Sequence, residues 1–530
     1  MTPAPASPPQ RKIIKNAGTV TGFTLLSRVL GAVRDLVIAH FFGAGWVTDA
    51  FVQAFTIPNV LRRLTAEGAM TQVFIPLYME VREKEERAAA KVFASKTLGM
   101  VLLGTAVLTL IGILFAPQLV LLFAAGFRED PAQFQLCVQL TRMMFPYLIL
   151  VSLVAWAMGI LNAESRFAAP AAAPALLNLG IIGAAFAVSP FLDQPIFGIA
   201  LGVILGGLLQ VLLQVPALRE TGQPLLPLSF KGDPRIRRMM LILGPAVLGA
   251  GVYQVNIIVL RNLASFLPDG QVTHYYNASR LTELVTGVFA FGILSASLPE
   301  LSRNSARGEW ENISKTLRMS VASTLILVVP ASVGLFVMAE PIVSMLFLHG
   351  AYGSQDVQST AATLRMFALG IPAVAVIRLQ TSVFYVLKDT KTPVLAASVS
   401  IPLTGMLGWY LSTITEVSGL ALGLSAGTFF QLFLLNFRFY RQPELNRIWW
   451  PGRSVLNALV CSVPVGCSAW FLSDLGIWEN GPFDLSNWMV LLGTMLLCTL
   501  LYGLLLWIFS EEQLIGWISG RRKGDSGKQV

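Results

Sequence analysis

The chain is built of long, unbroken apolar runs separated by short segments rich in Pro, Gly and basic residues. The runs do not alternate apolar with polar positions, which excludes a transmembrane barrel, and most are near the roughly 20 residues a helix needs to cross a bilayer. The pattern predicts an all-α polytopic membrane protein with about 14 transmembrane helices. These cover residues 17–41, 47–79, 92–115, 134–161, 168–188, 195–217, 237–266, 272–303, 312–338, 357–386, 393–412, 417–440, 452–474 and 486–509. The second and eighth are long enough to extend beyond the hydrocarbon.

Lysine and arginine set the orientation. With the N-terminus in the cytoplasm, 27 of the 38 basic residues fall in cytoplasmic segments or at the cytoplasmic ends of spans, among them Arg82, Lys84, Arg87, Lys91 and Arg166. The opposite loops hold only Arg128, and the other ten basic residues lie deeper within the spans. Both termini are therefore expected in the cytoplasm, as tails over 1–16 and 510–530. The first tail carries Arg11, Lys12 and Lys15. No cleavable signal is expected, because the first span carries Arg and Asp and lacks a clear small-residue cleavage site.

The sequence also repeats itself at an offset of 219–224 residues. Ser95-Lys96-Thr97-Leu98 returns as Ser314-Lys315-Thr316-Leu317. Arg142 and Pro170 return as Arg365 and Pro393, and Gly198-Ile199-Ala200-Leu201-Gly202 returns as Gly419-Leu420-Ala421-Leu422-Gly423. The offset contains an even number of spans, so the copies insert in the same sense, related by a pseudo-two-fold axis along the membrane normal. This predicts two six-helix lobes, an N-lobe over 17–217 and a C-lobe over 237–440, joined by a cytoplasmic linker at 218–236. Two extra C-terminal helices at 452–509 lie outside the duplication. The ladders Gly198/Gly202/Gly206 and Gly419/Gly423/Gly427 read as close-packing helix seams.

Composition agrees with a membrane protein: mean hydropathy +0.66, 55% hydrophobic and 13% charged residues. The net charge of +9 follows membrane orientation and does not point to nucleic acid. Cys137, Cys461, Cys467 and Cys498 lie inside apolar spans without metal or disulfide spacing, and read as small core residues. His40, His274 and His349 are isolated in sequence and receive no metal or proton role. No catalytic motif is visible, so no enzyme activity, cofactor or metal is expected; only a coupling cation stays open.

Charge inside the spans carries the functional signal, since each intramembrane charge costs about 2.5–3.5 kcal/mol on insertion scales. Arg28, Arg34 and Asp35 interrupt the first span; Arg62 and Arg63 follow the Ile57-Pro58-Asn59 kink in the second, with Glu67 one turn on; Arg280 and Glu283 lie in the eighth. Snorkelling or salt-bridged structural arginines are the bland alternative. Arg34 and Asp35 are adjacent and are expected to be poor mutual partners, whereas Arg28 and Asp35 share a face two turns apart. Arg63–Glu67 and Arg280–Glu283 have the spacing of local helix pairs. The functional reading is a cationic cavity for an anionic substrate, with Arg28, Arg34, Arg62, Arg63 and Arg280 binding and Asp35, Asp49, Glu67 and Glu283 gating or coupling. Arginine suits diphosphate because its planar fork donates two hydrogen bonds and keeps its charge.

The stretch Ser27-Arg28-Val29-Leu30-Gly31-Ala32-Val33-Arg34-Asp35 resembles the first-helix signature of the MurJ (MviN) family. Phe42-Gly43-Ala44-Gly45, Thr48-Asp49-Ala50-Phe51, Pro58-Asn59-Val60-Leu61-Arg62-Arg63, Ala66-Glu67-Gly68-Ala69 and Gly159-Ile160-Leu161-Asn162-Ala163 continue it. The resemblance covers essentially the whole chain. It implies a lipid II flippase of the MOP exporter superfamily in the bacterial inner membrane. Such a protein moves undecaprenyl-diphosphate-linked MurNAc-pentapeptide-GlcNAc between leaflets, with membrane lipids and cell-wall synthesis proteins as further partners. It also implies that Arg28, Arg34, Asp49, Arg62, Arg63, Glu67 and Arg280 occupy functional positions, and that the last two helices groove the lipid tail. Ser279 departs from relatives that carry an acidic residue there. The alternatives are a polysaccharide-lipid flippase or cation-coupled drug exporter of the same superfamily, and a non-transporting scaffold. The extra helix pair and the arginines favour a large anionic lipid.

Overall fold

A computed structural model describes residues 8–64, 71–85, 87–223, 233–441 and 452–509. Among these residues the secondary structure is helical, with no strand. The chain divides into two compact units, Met1–Thr273 and His274–Val530.

The first unit holds α1 (Pro8–Phe42), α2 (Trp46–Arg62), α3 (Thr71–Glu85), α4 (Arg87–Leu114), the short α5 (Ala116–Phe123), α6 (Pro131–Met144), α7 (Tyr147–Ala163), α8 (Ala168–Ala187), α9 (Ile196–Glu220) and α10 (Pro234–Ala264). Helix α11 (Gln271–Ala306) begins there and continues into the second unit. The second unit holds α12 (Trp310–Val337), the short α13 (Ala339–Phe347), α14 (Ser354–Val386), α15 (Lys391–Thr415), α16 (Val417–Tyr440), α17 (Gly452–Ser473) and α18 (Leu485–Phe509).

The sequence-derived spans fall on helices, with 134–161 divided between α6 and α7 and parts of 47–79 lying on α2 and α3. The breaks have local causes. Asp130 caps α6, accepting from the Ala132 and Gln133 amides, and Pro146 interrupts the run before α7 because it offers no amide to the helix ladder. Among the described residues ten helical segments, α6 and α7 counting as one, are long and apolar enough to cross a membrane, or eleven if the bent α11 is one span. Helices α1, α2, α3 and α10 fall outside that set; α1 and α2 carry the buried Arg34, Asp35 and Asp49 discussed below.

The repeat is visible as packing within each unit. In the first, a Cβ on Gly180 would lie 2.5 Å from the Gly206 Cα, and one on Gly202 2.8 Å from the Ile181 Cα, so α8 and α9 touch backbone to backbone. In the second, Gly423 would meet the Gly408 Cα at 2.4 Å, and Gly419 the Leu411 carbonyl carbon at 2.3 Å, joining α15 to α16 in the same way. In a bilayer such proximity supplies the van der Waals contact that replaces a hydrophobic drive between helices. The expected glycine seams are therefore packing seams. The repeated arginines are also architectural: Arg142 donates to the Ile113 carbonyl at 3.2 Å, and Arg365 pairs with Glu340 at 3.3 Å.

Interiors and exteriors separate cleanly. Phe74, Phe93, Trp156 and Ile160 build the core between α3, α4 and α7, with the Trp156 indole donating to the Ala94 carbonyl. Leu317, Leu379, Phe384 and Phe439 build the core between α12, α14 and α16. Outward-facing apolar side chains follow helical spacing, as in Met489, Leu492, Leu496, Leu500 and Leu504 of α18. The extra pair α17–α18 packs on α12 and α13, and the Tyr502 hydroxyl donates to the Ile326 carbonyl at 2.6 Å. Of the four cysteines, all free, Cys137 and Cys461 are buried, but Cys467 is exposed. The core reading fails there because position 467 of α17 faces outward, as apolar side chains facing lipid do.

Polar ends are tied by charge. Asp233 caps α10, and its carboxylate meets Arg235 at 2.8 Å and Lys96 of α4 at 3.2 Å. The hydrogen bonds from Arg235, then those from its backbone amide and Lys96, outweigh burial and hold the Asp233 carboxyl well below the usual carboxylate range.

Candidate functional site

The first helix supplies two arginines in different states. Arg28 is half-buried, and among the described residues it has no hydrogen-bond or ion-pair partner. Arg34 is 4% exposed, and its Nη2 and Nε reach Asp35 Oδ1 at 2.6 and 3.0 Å. Its Nη1 donates to Asn178 Oδ1 of α8 at 3.1 Å, and the guanidinium lies 5.9 Å from the Phe55 ring centroid. Asn178 in turn donates to the Ser27 carbonyl at 3.1 Å. Arg34 and Asp35 are thus close mutual partners, against the expectation from their adjacency. Backbone direction separates neighbouring positions on a helix, but the long arginine stem folds back, and two desolvated charges must find each other. Arg28 does not pair with Asp35.

Helix α2 places Asp49 at its buried start. Asp49 is 1% exposed and accepts from the Gly270 amide at 2.7 Å, the Thr273 amide at 2.8 Å and the Thr273 hydroxyl at 2.6 Å. It caps α11 from a distant part of the chain, in place of Gly270, which precedes the helix and has no side chain to offer. A carboxylate suits a helix N-terminus, where the amides and the dipole are positive. Nearby, Gln53 donates to the Arg261 carbonyl at 2.8 Å, and the Gly126 amide donates to the Ser265 hydroxyl at 3.0 Å, fixing the end of α10 against α2 and the turn that follows α5. At the other end of α2, Arg62 Nε meets Asn59 Oδ1 at 3.1 Å, while Asn59 donates to the Phe55 carbonyl. Arg63 is exposed and has no partner among the described residues. Glu67, with Ala66, Gly68 and Ala69, lies outside the described residues.

In the second unit Arg280 meets Glu283 at 2.9 Å, as its spacing predicts, and its Nε donates to the Tyr276 hydroxyl at 3.2 Å with the ring 5.3 Å below. The pair is half-exposed. Ser279 donates to the Tyr276 carbonyl at 2.8 Å, closing on its own helix. His274 is not isolated in space. It is buried, with Nδ1 3.1 Å from the Thr360 hydroxyl and Nε2 3.6 Å from Asp356. The structure thus joins Arg34 to Asp35 and Arg280 to Glu283 and holds Asp49 at the start of α11. Asn178, Thr273 and Tyr276 were not singled out from sequence; only tertiary contact reveals Asn178 and Thr273, whereas Tyr276 lies one turn before Arg280. Among the described residues no group of three or more His, Cys, Asp or Glu side chains is arranged to hold a metal ion.

A family model described as "Lipid II flippase MurJ" matches residues 38–479. The chain is 35% identical over 421 residues to the "Lipid II flippase MurJ" of Burkholderia cenocepacia, covering 79% of this chain and 82% of that protein. It is 33% identical over 483 residues to the "Probable lipid II flippase MurJ" of Vibrio cholerae, covering 88% and 91%. Among solved structures, "Lipid II flippase MurJ, inward closed conformation" superposes with TM-score 0.78 at 24% identity, covering 93% of this chain and 99% of that one. An inward-facing MATE family multidrug transporter of the MOP superfamily superposes with TM-score 0.66 at 12% identity, covering 80% and 98%. Fold and buried charge together define a helical membrane protein with the architecture of the MOP-superfamily transporters. Within that class, the chain belongs to the lipid II flippase MurJ family.

Proposed function

We propose that this protein is a lipid II flippase of the bacterial cytoplasmic membrane, carrying the undecaprenyl-diphosphate-linked peptidoglycan precursor from the inner to the outer leaflet by alternating access. The observation that carries the reading is the family match over residues 38–479, supported by the full-length relatives and by arginines set within helices. Both termini are placed in the cytoplasm by the basic residues, and residues 17–217 and 237–440 act as the two moving lobes.

The arginines divide by the strength of their present partners. Arg28 and Arg63 have none among the described residues and receive the diphosphate directly. Arg280 can exchange Glu283 for substrate, because a half-exposed ion pair contributes only about 0–1 kcal/mol. Arg62 exchanges its Asn59 contact in the same way. Arg34 is braced by Asp35 and Asn178 and acts chiefly by holding α1 on α8, since breaking a buried pair costs about 3–5 kcal/mol. Asp49, Asp35, Glu67 and Glu283 serve gating or coupling, with a coupling cation as a further participant. Helices α17 and α18 line the path of the isoprenoid tail, which needs an apolar route because hydrocarbon among arginines would leave those groups unsolvated.

The test is depletion of the protein in growing cells, with lipid-linked precursor assigned to each leaflet by an impermeant probe. Precursor trapped on the cytoplasmic leaflet, with release on re-expression, is the expected result. Unchanged leaflet distribution after complete depletion overturns the reading.

A further inference from the structure

At one end of the first unit, the ends of α3, α4, α7 and α9 surround a cavity of about 180 Å³. That is room for several water-sized groups. Four cations line it, Arg82, Arg87, Lys91 and Arg166, against two carboxylates, Glu164 and Glu220.

The carboxylates are already engaged. Glu164 meets Arg82 at 3.0 Å and accepts from the Tyr78 hydroxyl at 3.3 Å, and Gln223 donates to that hydroxyl at 2.7 Å. Glu220 pairs with Arg166. Arg87 and Lys91 are left over: among the described residues neither has a hydrogen-bond or ion-pair partner. They stand one turn apart on the same face of α4, where like charges repel. Arg87 is the first residue of α4, whose first turn contains no acidic side chain, so the positive end of the helix adds to the excess. Lys91 is aimed at the turn after α9. Gly222 there has φ of +69°, and a Cβ on it would stand 3.0 Å from the Lys91 Nζ. Glycine therefore both makes the turn and leaves the ammonium its place.

We infer that this cavity binds a phosphate group, with Arg87 offering its planar fork and Lys91 a compact charge. Two sources share that chemistry, the headgroup of an anionic phospholipid and a soluble phosphate. In the orientation proposed above the cavity faces the cytoplasm, beside the negatively charged inner leaflet. The site is separate from the arginines assigned to transport, and its occupancy does not depend on flipping.

The experiment uses the full-length purified protein and reads the thermal midpoint and retained lipid. One arm titrates inorganic phosphate against chloride at equal ionic strength in detergent. The other compares nanodiscs of phosphatidylcholine with nanodiscs containing phosphatidylglycerol. A saturable response to phosphate in detergent identifies a soluble ligand; a response only to phosphatidylglycerol identifies a headgroup. In either case Arg87→Gln/Lys91→Gln weakens apparent affinity about thirtyfold, and each single variant about fivefold, from the usual contribution of a basic residue near the membrane surface. Gly222→Ala, which crowds the ammonium without touching charge, also weakens it. Lys84→Gln, outside the cavity, leaves it unchanged. The singles and Gly222→Ala decide the matter if the double variant fails to fold. Absence of response in both arms overturns the inference, as does equal behaviour of Lys91→Gln and Lys84→Gln.

Discussion

Asp49→Asn is the most informative single change in the first unit. The substitution keeps size and shape but removes charge, and it turns one accepting oxygen into a donating NH₂ facing amides that also donate. Asp49 accepts three hydrogen bonds, from the Gly270 amide, the Thr273 amide and the Thr273 hydroxyl, all at 2.8 Å or less. Hydrogen bonds to a charged group contribute about 1.5–3 kcal/mol each, and a carboxylate at a helix N-terminus adds up to about 1 kcal/mol. Loss of one such bond together with the dipole term gives about 3 kcal/mol. Thr273→Val removes only the hydroxyl donor, at about 2 kcal/mol. Because the two side chains touch, the double variant is expected to lose about 1 kcal/mol less than the sum. Thermal unfolding of the detergent-purified protein at one fixed scan rate reads all three, with flipping measured in parallel. An Asp49→Asn variant as stable as wild type, or strictly additive changes, refutes the claim that Asp49 caps α11.

The remaining expectations are direct. Arg28→Ala or Arg280→Ala removes flipping in reconstituted vesicles while the protein stays folded, and Lys at either position rescues only in part; normal transport by the Arg28→Ala/Arg280→Ala double variant rules out their role in holding the diphosphate. Arg34→Ala lowers stability by about 3–5 kcal/mol as well as activity, because it strands Asp35; an unaltered unfolding midpoint contradicts the bracing role. Single cysteines within 42–47, 189–194 and 475–484 label from outside intact cells and those within 82–91, 220–236 and 442–450 do not; outside labelling at 220–236 overturns the orientation. Deleting residues after about 452 leaves the preceding helices inserted but abolishes transport of full-length lipid II, so a normal rate from the truncated chain refutes the tail-path assignment.

The helices were legible because a bilayer imposes length and apolarity on each of them, and the repeat because both copies kept their glycines. Gly202 and Gly423 announce close packing by spacing alone, and the structure places each against a neighbouring backbone. The arginine partners were less legible. Arg280 and Glu283 are local and follow from helix spacing. Asn178 is remote in sequence from Arg34, and nothing near either position announces the contact. The Arg34–Asp35 pair escapes the spacing rules for a different reason: those rules describe where Cβ atoms point, and a four-bond stem reaches beyond them. His274 looked isolated for the same want of long-range information, since Thr360 and Asp356 come from α14.

The two glycine seams limit how the molecule can deform. Helices in contact through side chains slide by swapping rotamers, whereas helices in contact through their backbones have no soft layer between them. A Cβ at Gly206 would stand 2.8 Å from the Leu177 Cα, and one at Gly423 2.5 Å from the Gly408 amide nitrogen. The pairs α8–α9 and α15–α16 are therefore mechanical struts, each moving as one piece. Any working stroke must therefore be taken up outside these two seams. A change of binding that reaches one helix of such a pair displaces both.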